Sequence, residues 1–399
     1  MRFSTNSDFQ QSLSGLTTLR ANLSLWQQQV STGKRLLTAA EDPAASAQVL
    51  NLGERMSTLE QFTRNANLVG LRLTDQETAL SAALTTLQRV RELVVQAKGA
   101  LTSADRRYIN AEIRQRRDEL TSLANTRNAS GEYLFAGGAV KTAPFSSNDG
   151  VVSYSGDQTR RALPIAEGRT LAEGFTGAEA FMAIRSGNGT FVTALGVTNT
   201  GTGRVVDDAV TDPTAYLGDG FRIVFTASNT FDVVNDTTGA TLLSAQGFVA
   251  GQAISFNGST LAITGEPVTG DTFSTHPSPN QPVFATLNGL IGALDTTATT
   301  GAQAAQLSFL MDRSLVNIDQ ALDKFTELRT SLGALQNTLE SQLQANDDLK
   351  QHLTLVKGTL EDADPVEAIS NVTRYSHALE AALAAFAKVQ SLSLFNYLR

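Results

Sequence analysis

The chain has 399 residues, a net charge of −8, one tryptophan and no cysteine. That length allows two or three domains, and the missing cysteines exclude disulfides, thiolate nucleophiles and zinc–thiolate sites. The acidic balance and the lack of a clustered Lys/Arg patch argue against nucleic acid, whose phosphates need such a patch.

Aromatic residues make up 7% of the chain, a thin supply for a compact enzyme and one that suits helical bundles built on Leu and Ala. No run of eighteen apolar residues occurs, so no membrane insertion is expected. The opening MRFSTNSDFQQSLSG has no apolar core segment, so no cleaved signal peptide is expected.

Leu16, Leu19, Leu23, Trp26 and Val30 follow alternating steps of three and four, a coiled-coil stripe. A polar break follows, STGKRLLTAAEDPAAS, Ser31 to Ser46. Its Gly33-Lys34 pair does not make a phosphate loop. Gln28 stands where the first glycine is required, and Arg35 replaces the hydroxyl residue after the lysine. Gly33 is expected to interrupt one helix and Asp42-Pro43 to start the next, proline being suited to the first helical turn. Lys34 and Arg35 are open to two readings, plain solvation or contact between subunits.

The apolar pattern resumes after Pro43. Leu52, Met56, Leu59, Phe62, Ala66, Val69, Leu73, Leu80, Ala83, Leu87, Val90, Val94 and Ala97 form a long seam, interrupted at Gln76. A run of this length predicts a rod-like coil rather than an ordinary globular helix. Gly99 ends it, and Thr102 with Asp105 predicts a capping box opening the next helix. The basic run from Asp105 to Leu120 interleaves with acids and reads as a solvated face.

Between residues 140 and 300 the pattern changes. About two thirds of the glycines fall there, and runs such as Phe221 to Asp236 alternate as strands do. Ala253 to Thr264 predicts a hairpin turning at Asn257-Gly258. Thr275 to Pro282, with its prolines, is expected to be a linker back to helix.

The last hundred residues carry a second long seam, Leu315, Ile318, Leu322, Phe325, Leu328, Leu332, Leu335, Leu339, Leu349, Leu353, Val356 and Leu360, with polar Gln342 and Asn346 at seam positions. Two steps of three between Leu322 and Leu328 make a stammer. Pro365 breaks the helix. A final helix carries Val372, Tyr375, Leu379, Leu383, Phe386 and Val389.

No catalytic constellation appears. His276, His352 and His377 are scattered, and no nucleophile elbow, metalloprotease motif or dinucleotide fingerprint is present. The acids at Asn346–Leu349 and Glu361–Asp364 lack the alternating layout of a calcium loop and are expected to cap helix ends. Catalytic, cofactor-binding and metal-binding residues are therefore expected to be absent, and the chain is not expected to be an enzyme.

Four segments resemble the bacterial flagellin superfamily. QQVSTGKRLLTAAEDPAASAQVLNL (Gln28 to Leu52) and VRELVVQAKGALTSADRRYINAEI (Val90 to Ile113) resemble its N-terminal motifs. RTSLGALQNTLESQL (Arg329 to Leu343) and TLEDADPVEAISNVTRYSHAL (Thr359 to Leu379) resemble its C-terminal ones. Arg35-Leu36-Leu37 departs from the more polar run usual in that superfamily. NASGEYLFAGGAVKTAPF (Asn128 to Phe145) and the stretch Val151 to Thr170 are similar to the hook–filament junction branch; the alternative is a filament flagellin.

The resemblance implies a mainly α fold with an inserted β domain. The N- and C-terminal segments would form a long antiparallel coiled-coil or helical-bundle rod, flagellin-like, with a β-rich outer domain. The expected divisions are 1–45 with 362–399 as a terminal coil lining the inner tube, 46–182 with 283–361 as a helical rod with β-hairpin elements, and 183–282 as the outer β domain. The implied role is structural, a ring connecting hook to filament. The implied partners are other copies of the chain, the first hook-associated protein, flagellin and an export chaperone. The implied location is the extracellular flagellum, reached through the flagellar secretion channel. Leu16, Leu19, Leu23, Trp26, Val30, Val372, Leu379, Leu383, Phe386 and Val389 are expected to carry assembly contacts.

Overall fold

The computed structural model describes residues 5–99, 102–148 and 150–397, with side chains described for all of these except 5, 6, 8, 103 and 389–397. Three helices come first: α1 (Thr5–Thr32), α2 (Pro43–Ala97) and α3 (Ser103–Ala124). Strands follow: β1 (Phe145–Asn148), β2 (Val151–Tyr154), β3 (Ala162–Ala166) and β4 (Arg169–Ala172). After a π-helical turn at Ala178–Met182 come β5 (Ile184–Arg185), β6 (Phe191–Leu195), β7 (Arg204–Val210), β8 (Phe221–Ala227) and β9 (Thr230–Asn235). The series ends with β10 (Thr241–Gly247), β11 (Ala253–Phe256), β12 (Ser259–Thr264), β13 (Thr272–Pro277) and β14 (Asn280–Gln281). The helices α4 (Val283–Asp295), α5 (Gly301–Glu361) and α6 (Pro365–Tyr397) complete the chain. This is the expected class, long helices at both ends with an antiparallel β insert.

Two compact units divide the chain, Met1–Arg64 with Ser341–Arg399, and Asn65–Glu340. The helix boundaries follow from local chemistry. Gly33, at φ +70°, donates its N–H to the Gln29 carbonyl at 2.9 Å and closes α1. Asp42 Oδ1 accepts the Ala45 N–H at 2.9 Å, with Pro43 in the first helical position of α2. Thr102 and Asp105 make the expected capping box on α3. Asp364 Oδ1 accepts the Val366 N–H at 2.8 Å and starts α6.

In the larger unit the seam of α2 is fully buried: Ala66, Val69, Leu73, Leu80, Ala83, Leu87, Val90 and Val94 are all inaccessible. The α5 helix answers with buried Ile318, Ala321, Phe325, Leu328 and Leu332. Arg329–Glu77 and Arg91–Asp319 pairs, each at 2.6 Å, bridge the two helices in antiparallel sense. Their half-exposed positions make them minor contributors beside the apolar seam. Gln76, which interrupts the seam, is buried and bonded to main chain of the β-rich segment.

Phenylalanines tie the hairpins to the helices. The Phe181 ring, on the π-helical turn, lies 5.1 Å from Phe135, 5.4 Å from Phe145 and 5.4 Å from Phe325 of α5. Phe284 of α4 stacks on it at 6.1 Å.

The strands from β6 to β13 form a five-stranded antiparallel sheet, β10-β9-β8-β13-β6, and a three-stranded one, β11-β12-β7. Both contribute to one core, with Ile223, Phe225, Val233 and Phe273 from the first, Leu261 and Ile263 from the second, and Phe309 from α5. Residues on the inner faces of stacked sheets interdigitate in this way. The β11–β12 hairpin turns where expected, with Asn257 and Gly258 at φ 48° and 67°.

The segment Thr275 to Pro282 is not the expected linker. Thr275 and His276 belong to β13, which runs between β8 and β6 with Thr275 opposite both Phe221 and Thr193. Asn280 and Gln281 pair with β5. Prolines signal a break, but Pro277 sits at the last rung and Pro279 beyond it, where the missing N–H disturbs little of the ladder.

Candidate assembly surface and the paired linkers

In the smaller unit α1 and α6 run antiparallel. The Phe9 and Phe386 rings meet at 5.4 Å toward one end. Ser12, Gly15, Leu16 and Leu19 line a shallow groove of about 250 Å³ with Ala382, Ala385 and Phe386. Leu16 is buried at 9% exposure. Leu19, Leu23, Trp26, Val372, Leu379 and Phe386 are half-buried, and Val30 and Leu383 are exposed. The Val389 side chain lies outside the described residues.

The core of this unit is thin. Among its described residues the buried apolar side chains are Leu16, Ala45, Leu59, Leu353 and Ala368. Large apolar side chains are instead exposed: Leu50 at 67%, Leu355 at 70%, Val366 at 78% and Ile369 at 56%. Sequence reasoning missed these four. They sit off the seams, and off-seam apolar residues on long helices were the available signal.

The break after α1 and the break before α6 run side by side. Lys34 and Asp362 form an antiparallel bridge. Arg35 N–H donates to the Glu361 carbonyl at 2.7 Å, and Ala363 N–H donates to the Gly33 carbonyl at 2.9 Å. The Arg35 guanidinium donates to the Leu360 carbonyl at 2.7 Å. Lys34 Nζ pairs with the Glu361 carboxylate. That hydrogen bond, with the lysine charge behind it, holds the Glu361 carboxyl below its ordinary range and the Lys34 ammonium above its own. Gln29, buried, donates its amide to the Arg35 carbonyl at 3.0 Å. To the two sequence readings for Lys34 and Arg35 the structure adds a third contact, between distant parts of one chain, with both residues still exposed. A partner about three hundred residues away leaves no local trace in the sequence.

In the larger unit the charged cluster with the deepest burial is Arg72 with Glu132 and Glu173, the last at 2.8 Å, joined by Arg161. Burial lowers the Arg72 guanidinium pKa. Two cations matched by two carboxylates pin the Asn128–Tyr133 loop and the segment after β4 to α2. Among the described residues no group of three or more His, Asp or Glu side chains is arranged to hold a metal ion, and no helix is long and apolar enough to cross a membrane.

Known proteins share this architecture. The bacterial flagellin N-terminal helical region matches residues 3–139 and the C-terminal helical region matches residues 315–398. Flagellar hook-associated protein 3 of Escherichia coli K12 is 27% identical over 398 residues, 99% of each chain. The crystal structure of Xanthomonas campestris FlgL is 33% identical with a TM-score of 0.71, covering 77% of this chain and 99% of that one. The flagellar hook associated protein-3 of Legionella pneumophila is 30% identical with a TM-score of 0.74, covering 78% and 98%. End-to-end likeness to these proteins favours the junction branch over a filament flagellin. The chain belongs to the bacterial flagellin superfamily and, within it, to the FlgL family of flagellar hook-associated junction proteins.

Proposed function

We propose that this chain is a non-enzymatic subunit of a ring at the hook–filament junction. The ring seats on the first hook-associated protein and receives flagellin on its other side. Head-to-tail contacts between identical copies generate such arrays. The terminal segments 1–45 and 362–399 line the inner tube, 46–182 with 283–361 form the rod, and 183–282 face outward. An export chaperone shields the terminal helices before the chain passes through the flagellar secretion channel.

The observation that carries this reading is the thin core of the terminal unit beside its exposed Leu50, Leu355, Val366, Ile369 and Leu383. With so little buried inside the unit, we read these uncovered side chains as interaction surface, and other copies supply the missing cover. Electron microscopy of the purified chain, alone and with sheared hooks bearing the first hook-associated protein, tests it. Capped hooks without long filaments are expected. Long filaments from the chain alone make it a filament subunit instead.

A further inference from the structure

The bonds of the linker pair run between the neighbours of Lys34 and Asp362, Arg35 to Glu361 and Ala363 to Gly33. Lys34 and Asp362 therefore occupy a non-hydrogen-bonded antiparallel position, where Cα atoms stand about 4.5 Å apart and side chains leave on one face. Both main-chain groups of Arg35 are used, its N–H by Glu361 and its carbonyl by the Gln29 amide. The two linkers differ in slack. On the C-terminal side Asp364 caps α6 immediately after the bonded Ala363. On the N-terminal side Leu37 to Asp42 intervene before α2, gathered by the Glu41 carboxylate on the Leu37 N–H at 3.0 Å.

The geometry points to a clasp: the two linkers form one joint, closed in the free chain and closed in the assembled one, which sets the register of α1 against α6. Separate tethers would let the two helices pivot and slide independently. The Lys34–Asp362 rung holds their bases together, so the remainder of each helix meets the other at high local concentration. Bending of the coil pair then falls on Leu37–Asp42, the one segment with spare length.

The chain has no cysteine, so Lys34→Cys with Asp362→Cys supplies the sole thiol pair. A non-hydrogen-bonded rung suits the Cα separation of about 4.4–6.8 Å that a disulfide needs. Oxidation of the purified monomer is expected to close an intramolecular bond at least about tenfold faster than in the Ala39→Cys, Asp362→Cys control, because only the first pair is held face to face. Equal rates, or intermolecular dimers alone, overturn the closed clasp.

Since these thiols replace the Lys34–Glu361 ion pair, amide hydrogen exchange is read on the unmodified chain as well. The Arg35 and Ala363 amides are expected to be protected together. Exchange as fast as at Ala39 overturns the clasp independently of any variant. These monomer measurements do not depend on the flagellar role. A final arm does: the oxidised chain is expected to cap hooks as well as its reduced form, and failure of the oxidised form alone shows that the clasp must open for assembly.

Discussion

The side chain of Gln76 and the main chain of Phe175, 99 residues apart, bond twice. Gln76 Nε2 donates to the Phe175 carbonyl at 3.0 Å, and the Phe175 N–H donates to Gln76 Oε1 at 2.9 Å. The same amide nitrogen donates to the Leu134 carbonyl at 2.9 Å. One buried amide thus satisfies three main-chain groups of the β-rich segment from inside the α2 seam. Gly174 makes the approach possible. At φ +139° it holds a backbone conformation L residues avoid, and a Cβ there would collide with the Gln76 amide.

Gln76→Leu is expected to lower stability by about 3 kcal/mol, since each orphaned buried group costs about 1–3 kcal/mol. The better apolar seam does not offset that. Urea unfolding of the two chains measures it. An unchanged or raised midpoint would show that the seam, rather than the amide, governs this site. Gly174→Ala is expected to destabilise in the same assay.

Phe181 joins two hairpin segments, α4 and α5 through one ring, and it is fully buried. Phe181→Ala is expected to cost about 3–5 kcal/mol by lost transfer energy and an unfilled cavity. Phe181→Leu should recover much of that loss. Circular dichroism melts of both variants decide it, and equal melting of Ala and wild type would mean the cluster relaxes around the gap.

Two carboxyls give opposite pH slopes. Glu361 is held below its ordinary value, about 4.3, chiefly by the hydrogen bond from Lys34. Its contribution is present above that value and lost as pH falls through the lower folded one. Asp208 is pushed above its ordinary range, mainly by burial. Its folded form binds a proton more readily than its unfolded form, so stability falls as pH rises through that window. Lys34→Gln should remove the acid-side loss, and Asp208→Asn should raise stability at neutral pH. Denaturation midpoints followed from pH 3 to pH 7 test both signs. Slopes unchanged by the substitutions would place the titrating groups elsewhere.

The long helices, the capping box at Thr102 and the Asn257-Gly258 turn were legible because each rests on neighbours within a few residues. Gln76 read as a mere interruption because its partners lie in a distant segment. Thr275 and His276 read as linker because nearby prolines mask a strand whose pairing to β8 and β6 is long-range. The terminal stripes were visible as apolar spacing. Their partial exposure was not, since spacing tells which face is apolar but not how much of it a second helix covers. Leu50, Leu355, Val366 and Ile369 escaped for the same reason.

The terminal helices as the assembly surface are tested most directly by Trp26→Asp with Leu383→Asp in a strain lacking the native chain. Far-ultraviolet circular dichroism and secretion first establish that the variant folds and is exported. Electron microscopy of the hook tips then reads junction formation, with Arg107→Glu on α3 as the charged-surface control. The expected result is a folded, exported chain that leaves hooks uncapped and cells non-motile, while the control caps them. Hooks capped normally by the doubly substituted chain would contradict the assignment and return both stripes to an ordinary intramolecular core.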